Sequence, residues 1–366
     1  MRNEYLSYLS LVRAALWGGQ MSWPEKLTEP LLALNAYQGT GPLVYPYVLS
    51  QENIPAPARV HMKSVCMSTM QNQVSLHFIL EKAWNALQQA GIRVVLMKGA
   101  GLAALYPEPY YRTWGDIDLY VGKDQYHPAC AVMRDTFPDA LKFDEELDHY
   151  KHYNLIADGV SIEVHRVSID LPHPGDERYY AQIEREGMMH SEPLQLNGLE
   201  VQVPEPTFNA LFVFFHSLEH LMTQGVNLRQ ICDLALLLHR YAQKIDAKRL
   251  HTWLRALHLT DMWALYVYIM HFYLGLPKEE ALFFRADVAT RAERMTEDLL
   301  SGRLKEQKSE EQAPQGRVRR KIHTMKIRVA NARRIGQYSP AYARHMIVTT
   351  LLHGALRFFA KDRHWE

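Results

Sequence analysis

Two aspartates separated by one residue, Asp116 and Asp118, open the run Asp116–Val121 (DIDLYV). A strand alternates its side chains between faces, so both carboxylates share one face while Ile117, Leu119 and Val121 share the other. Two like charges a few ångströms apart repel each other, and are tolerated when a cation lies between them or one holds a proton. Hard oxygen donors of this kind suit Mg²⁺ or Mn²⁺. A third acid comes from Ser161–Arg166 (SIEVHR), where Glu163 and His165 share a face opposite Ile162 and Val164. With that strand beside the first, three carboxylates could hold two cations. Two metals can activate an attacking oxygen and stabilise a departing pyrophosphate in an in-line phosphoryl transfer.

Upstream, Lys98-Gly99-Ala100-Gly101 breaks the β-branched run Arg93–Met97. Glycine lets a backbone approach a phosphate closely, and a helix starting there presents free N–H groups to an anion. Lys98 adds a positive charge. Arg112, just before the aspartates, could hold a phosphate in bidentate fashion or pair with Asp116 or Asp118. His165 is expected either to support a carboxylate or to be a satisfied core histidine.

The elements needed to position these groups can be read from periodicity. Helices are expected from near Asn3, over Pro24–Tyr37 and over Ser68–Ala90, with Gly39–Pro46 and Pro55–Pro57 as punctuation. Arg93–Met97, Asp116–Val121, Tyr153–Ala157 and Val160–Val167 are expected strands, the last two joined by Asp158-Gly159, a strong hairpin signal. Leu102–Tyr106 and His127–Phe137 are expected helices. A second hairpin is expected over 187–203, turning at Asn197-Gly198. Beyond Pro206 the pattern predicts helices over 206–223, 227–241, 247–257, 260–274, 286–301, 318–335 and 340–361. The fold class is therefore α+β. The expected organisation is an N-terminal helical segment (1–90), a small α/β unit with a mixed or antiparallel sheet (91–204), a helical domain (205–302), a polar linker (303–317) and basic C-terminal helices (318–366).

The order of strand, glycine-bearing turn, short helix, Asp-x-Asp strand and later acidic strand resembles the polymerase-beta-like nucleotidyltransferase superfamily. Lys-Gly in the turn, Arg before Asp-Ile-Asp, and Glu-Val-His on the third strand resemble the bacterial uncharacterised nucleotidyltransferase family over roughly residues 68–240. The resemblance implies that Asp116, Asp118 and Glu163 are catalytic metal ligands for Mg²⁺ or Mn²⁺. It implies that Lys98, Gly99 and Ala100 line the triphosphate site of an NTP such as ATP, with Arg112 and His165 nearby. Ala100 stands where the superfamily usually has Ser or Gly, so a serine hydroxyl to the phosphate is missing. The expected activity is transfer of a nucleoside monophosphate from NTP to an unidentified acceptor. Two alternatives are a nucleotide-sugar glycosyltransferase, in which Asp116-Ile117-Asp118 chelates Mn²⁺ and a diphosphate, and a non-catalytic nucleotide-binding or interaction module.

The 366 residues are 48% apolar and 22% charged with net charge +1, so any preference for anionic partners must be local. Cys66, Cys130 and Cys232 are far apart, which argues against a disulfide framework and a cysteine-rich zinc site, and fits a cytoplasmic setting. The N-terminus is a poor signal peptide, and no apolar run is long enough for a membrane span. His216-Ser217-Leu218-Glu219-His220 matches the inverted zinc-peptidase pattern H-x-x-E-H, yet no third ligand is identifiable downstream. The better reading is a helix leaning over the metal site. From Gln312 to Lys361 there is no acid, while Arg317, Arg319, Arg320, Lys321, Lys326, Arg328, Arg333, Arg334 and Arg344 fall there. That asymmetry could dock an anionic polymer or surface, or simply be a packed or solvated helix. Ile322, Met325 and Val329, and the cluster Tyr266, Tyr268, Phe272 and Tyr273, are better read as packing.

Overall fold

In the computed structural model, the described residues are 1–143, 147, 151–169, 171, 174–223, 225–304 and 317–359. The chain begins with helices α1 (Asn3–Trp17), α2 (Thr28–Gln38), α3 (Gly41–Val48) and α4 (Ala56–Gln89). The α/β part follows as β1 (Val95–Met97), α5 (Gly99–Ala103), β2 (Asp116–Tyr120), α6 (Gly122–Thr136), β3 (Leu141–Lys142), β4 (His152–Ala157), β5 (Val160–His165), α7 (Pro174–Met189), β6 (Glu192–Leu196) and β7 (Leu199–Val203). Helices α8 (Pro206–Thr223), α9 (Leu228–Arg240), α10 (Ala247–Ala256), α11 (Thr260–Tyr268), α12 (Ala289–Leu300), α13 (Arg317–Ile335) and α14 (Pro340–Phe359) complete it.

The fold is α+β, with a five-stranded mixed sheet in the order β1-β2-β5-β4-β3 and a separate β6-β7 hairpin. β2 runs antiparallel to β1 and parallel to β5. The two-residue turn at Asp158-Gly159 closes the β4-β5 hairpin, with both residues at positive φ (50° and 79°), as this tight turn requires. Ile117, Leu119, Ile162 and Val164 point to the covered face, where they join Leu80, Ala83 and Leu87 of α4 and Met133 of α6 in one core. The first half of α4 (Ala58, Met62) belongs instead to a second core, with Tyr8 and Val12 of α1 and Leu211, Phe214 and Trp263 of the later helices. α4 thus ties the sheet to the helical mass. Each such large side chain contributes about 1.5–3 kcal/mol on burial.

Several element boundaries differ from the periodicity. α4 starts twelve residues before the expected Ser68, because Pro55 and Pro57 lie at its start, where a missing N–H costs nothing. Gly41–Val48 is helical despite Pro42 and Pro46, since Val44, Tyr45 and Val48 bury a shared face. α5 begins at Gly99 rather than Leu102, and α6 at Gly122 rather than His127. α7 was not expected, and it includes residues 187–189 of the expected second hairpin. The 260–274 helix changes at Ile269 into a π-helical turn reaching Tyr273. Asn227 and Gln230 form a reciprocal capping box that starts α9.

Most of the expected 303–317 linker, and residues 360–366, lie outside the described residues. α13 is fixed to α8 by Asn331, which donates to the Met222 carbonyl (2.5 Å), and Arg334, which donates to that of Leu221 (3.0 Å). Arg334 is therefore committed to a helix C-terminus, where a cation is favourable. Met325 and Val329 are half-buried. Tyr266 is fully buried, and Tyr268 stacks on Phe272. Among the described residues, no helix is long and apolar enough to cross a membrane.

Candidate metal and nucleotide site

Parallel pairing sets Asp118 opposite Glu163 and Asp116 opposite Ser161, with both aspartates on the face away from the core. Nε2 of His165 lies 3.0 Å from Oδ1 of Asp118 and 3.1 Å from Oε2 of Glu163. One imidazole nitrogen therefore bridges the two carboxylates. Nδ1 of His165 faces the Val167 carbonyl at 3.3 Å. His152, across the hairpin from His165, brings Nδ1 to 3.9 Å from Oε2 of Glu163.

Lys98 ends β1 at φ 52°, a backbone conformation that non-glycine residues rarely adopt. This bend turns the ammonium inward, where Nζ sits 2.8 Å from Oδ1 of Asp118. Gly99 follows at φ 40°, and an added Cβ would lie 3.2 Å from the Trp114 ring and 3.3 Å from the Asp116 carbonyl. Only glycine fits this turn without strain. Ala100 is buried in the core behind the sheet. Its side chain takes no part in the polar face, and only its backbone N–H remains to serve an anion.

Arg112 goes elsewhere. Its Nε and Nη2 bond both oxygens of Asp233 on α9 (2.7 and 2.8 Å), and its Nη1 donates to the Gly99 carbonyl (3.1 Å). Tyr106 adds a third bond to Asp233 (2.7 Å). The fork braces the glycine turn from behind. Its partner is neither Asp116 nor Asp118.

The charges explain the protonation tendencies. Asp118, close by, pushes the Asp116 carboxyl upward, and partial burial adds to that. Burial also pushes Asp118 up, but the Lys98 ammonium and His165 outweigh it and hold it below the usual range. Glu163 is similarly raised by burial and lowered further by His165, ending low. For His165, burial opposes protonation, but Asp118 and Glu163 overcome it and raise its pKa.

Helix α8 carries His216 and His220, whose Nε2 atoms are 2.9 Å apart. Burial, then the positive charge of Lys98, depresses His216 well below its ordinary value. Lys98 and Asp118 are thus near enough to act on it, as expected for a helix leaning over the carboxylates. Among the described residues, the group of three side chains spaced to hold a metal is His152, Glu163 and His165, not the H-x-x-E-H pair.

The donor set fits a divalent cation. Asp118 is fully buried, yet its Oδ2 meets no hydrogen-bond partner among the described residues. A buried carboxylate oxygen left without a donor is costly, and a cation would give it a partner. Asp116 is half-buried and repelled by Asp118, which a cation would relieve.

Residues 24–275 match the model of a family described as uncharacterised nucleotidyltransferase. No curated protein matches the chain. Among solved structures, an antigenic nucleotidyltransferase-like protein from Paracoccidioides brasiliensis aligns at 18% identity over 53% of this chain and 90% of that one, with a TM-score of 0.31. The family match spans well over half of the sequence, so the chain belongs to the uncharacterised nucleotidyltransferase family.

Proposed function

We propose that this member of the uncharacterised nucleotidyltransferase family transfers a nucleoside monophosphate from an NTP, ATP included, to an acceptor, with Asp116, Asp118 and Glu163 as metal ligands. The reading extends to the bacterial branch of the polymerase-beta-like superfamily and to Mg²⁺ or Mn²⁺ as the ion. The carrying observation is the parallel register of β2 and β5, which sets Asp118 beside Glu163 with Asp116 on the same face.

Bound cations would supply charge neutralisation of the triphosphate and a more acidic acceptor oxygen. Asp116 and Asp118 would hold both ions, and Glu163 would hold the catalytic one and help deprotonate the acceptor. Lys98 is already close to the oxygens that metal would take. The Lys98 ammonium would bind the β- and γ-phosphates, beside the N–H groups of the Gly99 turn. Arg112 and Asp233 keep that turn in place rather than touching substrate. Glu163 lying beside Asp118 weighs against the glycosyltransferase alternative, which has no need of a third acid. The Lys98–Asp118 ion pair favours a second reading, a nucleotide-binding module without turnover, because one ligand oxygen is already neutralised from within.

The test is labelling from radiolabelled NTP with Mg²⁺ or Mn²⁺, comparing the wild type with Asp116→Ala/Asp118→Ala. Pyrophosphate release or labelling by the wild type only is expected. Equal signals from both would overturn the catalytic reading, and nucleotide binding with no release would favour the second one.

A further inference from the structure

β4 and β5 place two imidazoles on the same carboxylate. His165 Nε2 and His152 Nδ1 approach Oε2 of Glu163 at 3.1 and 3.9 Å, and the three ligand atoms lie within 4.8 Å of one another. An ion with donors about 2.1 Å away spans about 4.2 Å between opposite ligands. Closing the triangle onto an ion therefore takes only a few tenths of an ångström.

Three further observations point to a ligand here. His165 is 2% exposed, and its Nδ1 faces the Val167 carbonyl. A ring that donates Nδ1–H to a carbonyl presents Nε2 as a lone pair, which is how metal-bound histidines are oriented. Nε2 already lies 3.0 Å from Oδ1 of Asp118 and 3.1 Å from Oε2 of Glu163, so an ion bound there would meet both carboxylates. Finally, Oδ2 of Asp118, on the adjoining strand, is buried and lacks a hydrogen-bond partner among the described residues.

We propose that His152, Glu163 and His165, completed by Asp118, form a mixed nitrogen and oxygen site for a divalent transition ion of the Mn²⁺ to Zn²⁺ series, in preference to Mg²⁺. Imidazole suits these ions, whereas Mg²⁺ asks for near-octahedral oxygen. The inference rests on the reading of these strands as the nucleotidyl-transfer site, and it narrows the metal that serves there. It also gives His152 a role in ion selection.

The test uses the full chain, stripped with a chelator. Co²⁺ is titrated while the visible d–d absorption is followed, and Mn²⁺ is examined by pulsed EPR for nitrogen-14 modulation. At least one ion per chain with histidine nitrogen coupling is expected, along with weak competition from Mg²⁺. His152→Ala should lower Co²⁺ affinity on the order of 10- to 100-fold and reduce the nitrogen signal. His165→Gln should do the same, with circular dichroism reporting whether it folds. Should it fail to fold, the nitrogen coupling of the wild type decides. Mn²⁺ bound without nitrogen coupling, or unchanged Co²⁺ affinity in folded His152→Ala, would overturn the inference. NTP transfer with Mg²⁺ but no nitrogen coupling removes this inference and leaves transfer standing. Nitrogen coupling with no transfer does the reverse.

Discussion

Asp233 and Asp118 are both buried, and both are tied to the Lys98–Gly99 turn, yet their surroundings differ. Asp233 meets donors on both oxygens, from Arg112 and Tyr106. Asp118 crowds Lys98 and His165 onto one oxygen, leaves the other without a partner and has a second acid two residues away. A saturated cluster fixes structure, because every charge is compensated where it stands. A cluster with an open oxygen and a second acid beside it has room for a cation, and that distinguishes a site from a brace.

This contrast can be broken by mutation. Asp233→Ala should strand the Arg112 guanidinium and loosen the glycine turn, costing about 3–5 kcal/mol of stability, measured by urea unfolding. A cost under about 1 kcal/mol would remove the structural role assigned to that ion pair. Asp116→Asn should do the opposite to the metal-free protein. It removes a charge that Asp118 repels and should stabilise by about 0.5–2 kcal/mol while abolishing transfer. A lower melting temperature for Asp116→Asn in chelator would contradict the repulsion.

A smaller effect sharpens the comparison from a third buried acid. Glu184 of α7 accepts from the Ser168 N–H (2.6 Å) and Tyr120 hydroxyl (3.3 Å). Burial raises its pKa despite these bonds. Raised pKa means that the folded state binds the proton more tightly, so this contribution to stability is present at low pH and is lost as pH rises above the ordinary 4.5. Glu184→Gln should therefore flatten the decline of stability above that pH. Parallel curves for both proteins would refute the assignment.

How much of this was legible in the sequence follows from range. Strand alternation alone places Asp116 with Asp118 on one face of their strand, and Glu163 with His165 on one face of theirs. The parallel neighbourhood of β2 and β5 could be supposed but not read, since pairing of distant strands leaves no local mark. Arg112 found its partner 121 residues away on α9, which no spacing rule reaches. His152 was overlooked although a signal existed. A two-residue turn at Asp158-Gly159 pairs Ala157 with Val160, and counting outward pairs His152 with His165. α3 and α7 were hidden for a different reason, because prolines and polar residues masked faces that tertiary packing buries.

The most direct measurement is a crystal structure of the chain with Mn²⁺ and a non-hydrolysable NTP, using the anomalous scattering of manganese. An anomalous peak within about 2.0–2.6 Å of oxygens from Asp116, Asp118 and Glu163, with the triphosphate reaching the Gly99 turn, is the result expected. Manganese and nucleotide bound elsewhere, with Lys98 still on Asp118 and the three carboxylates metal-free, would contradict it.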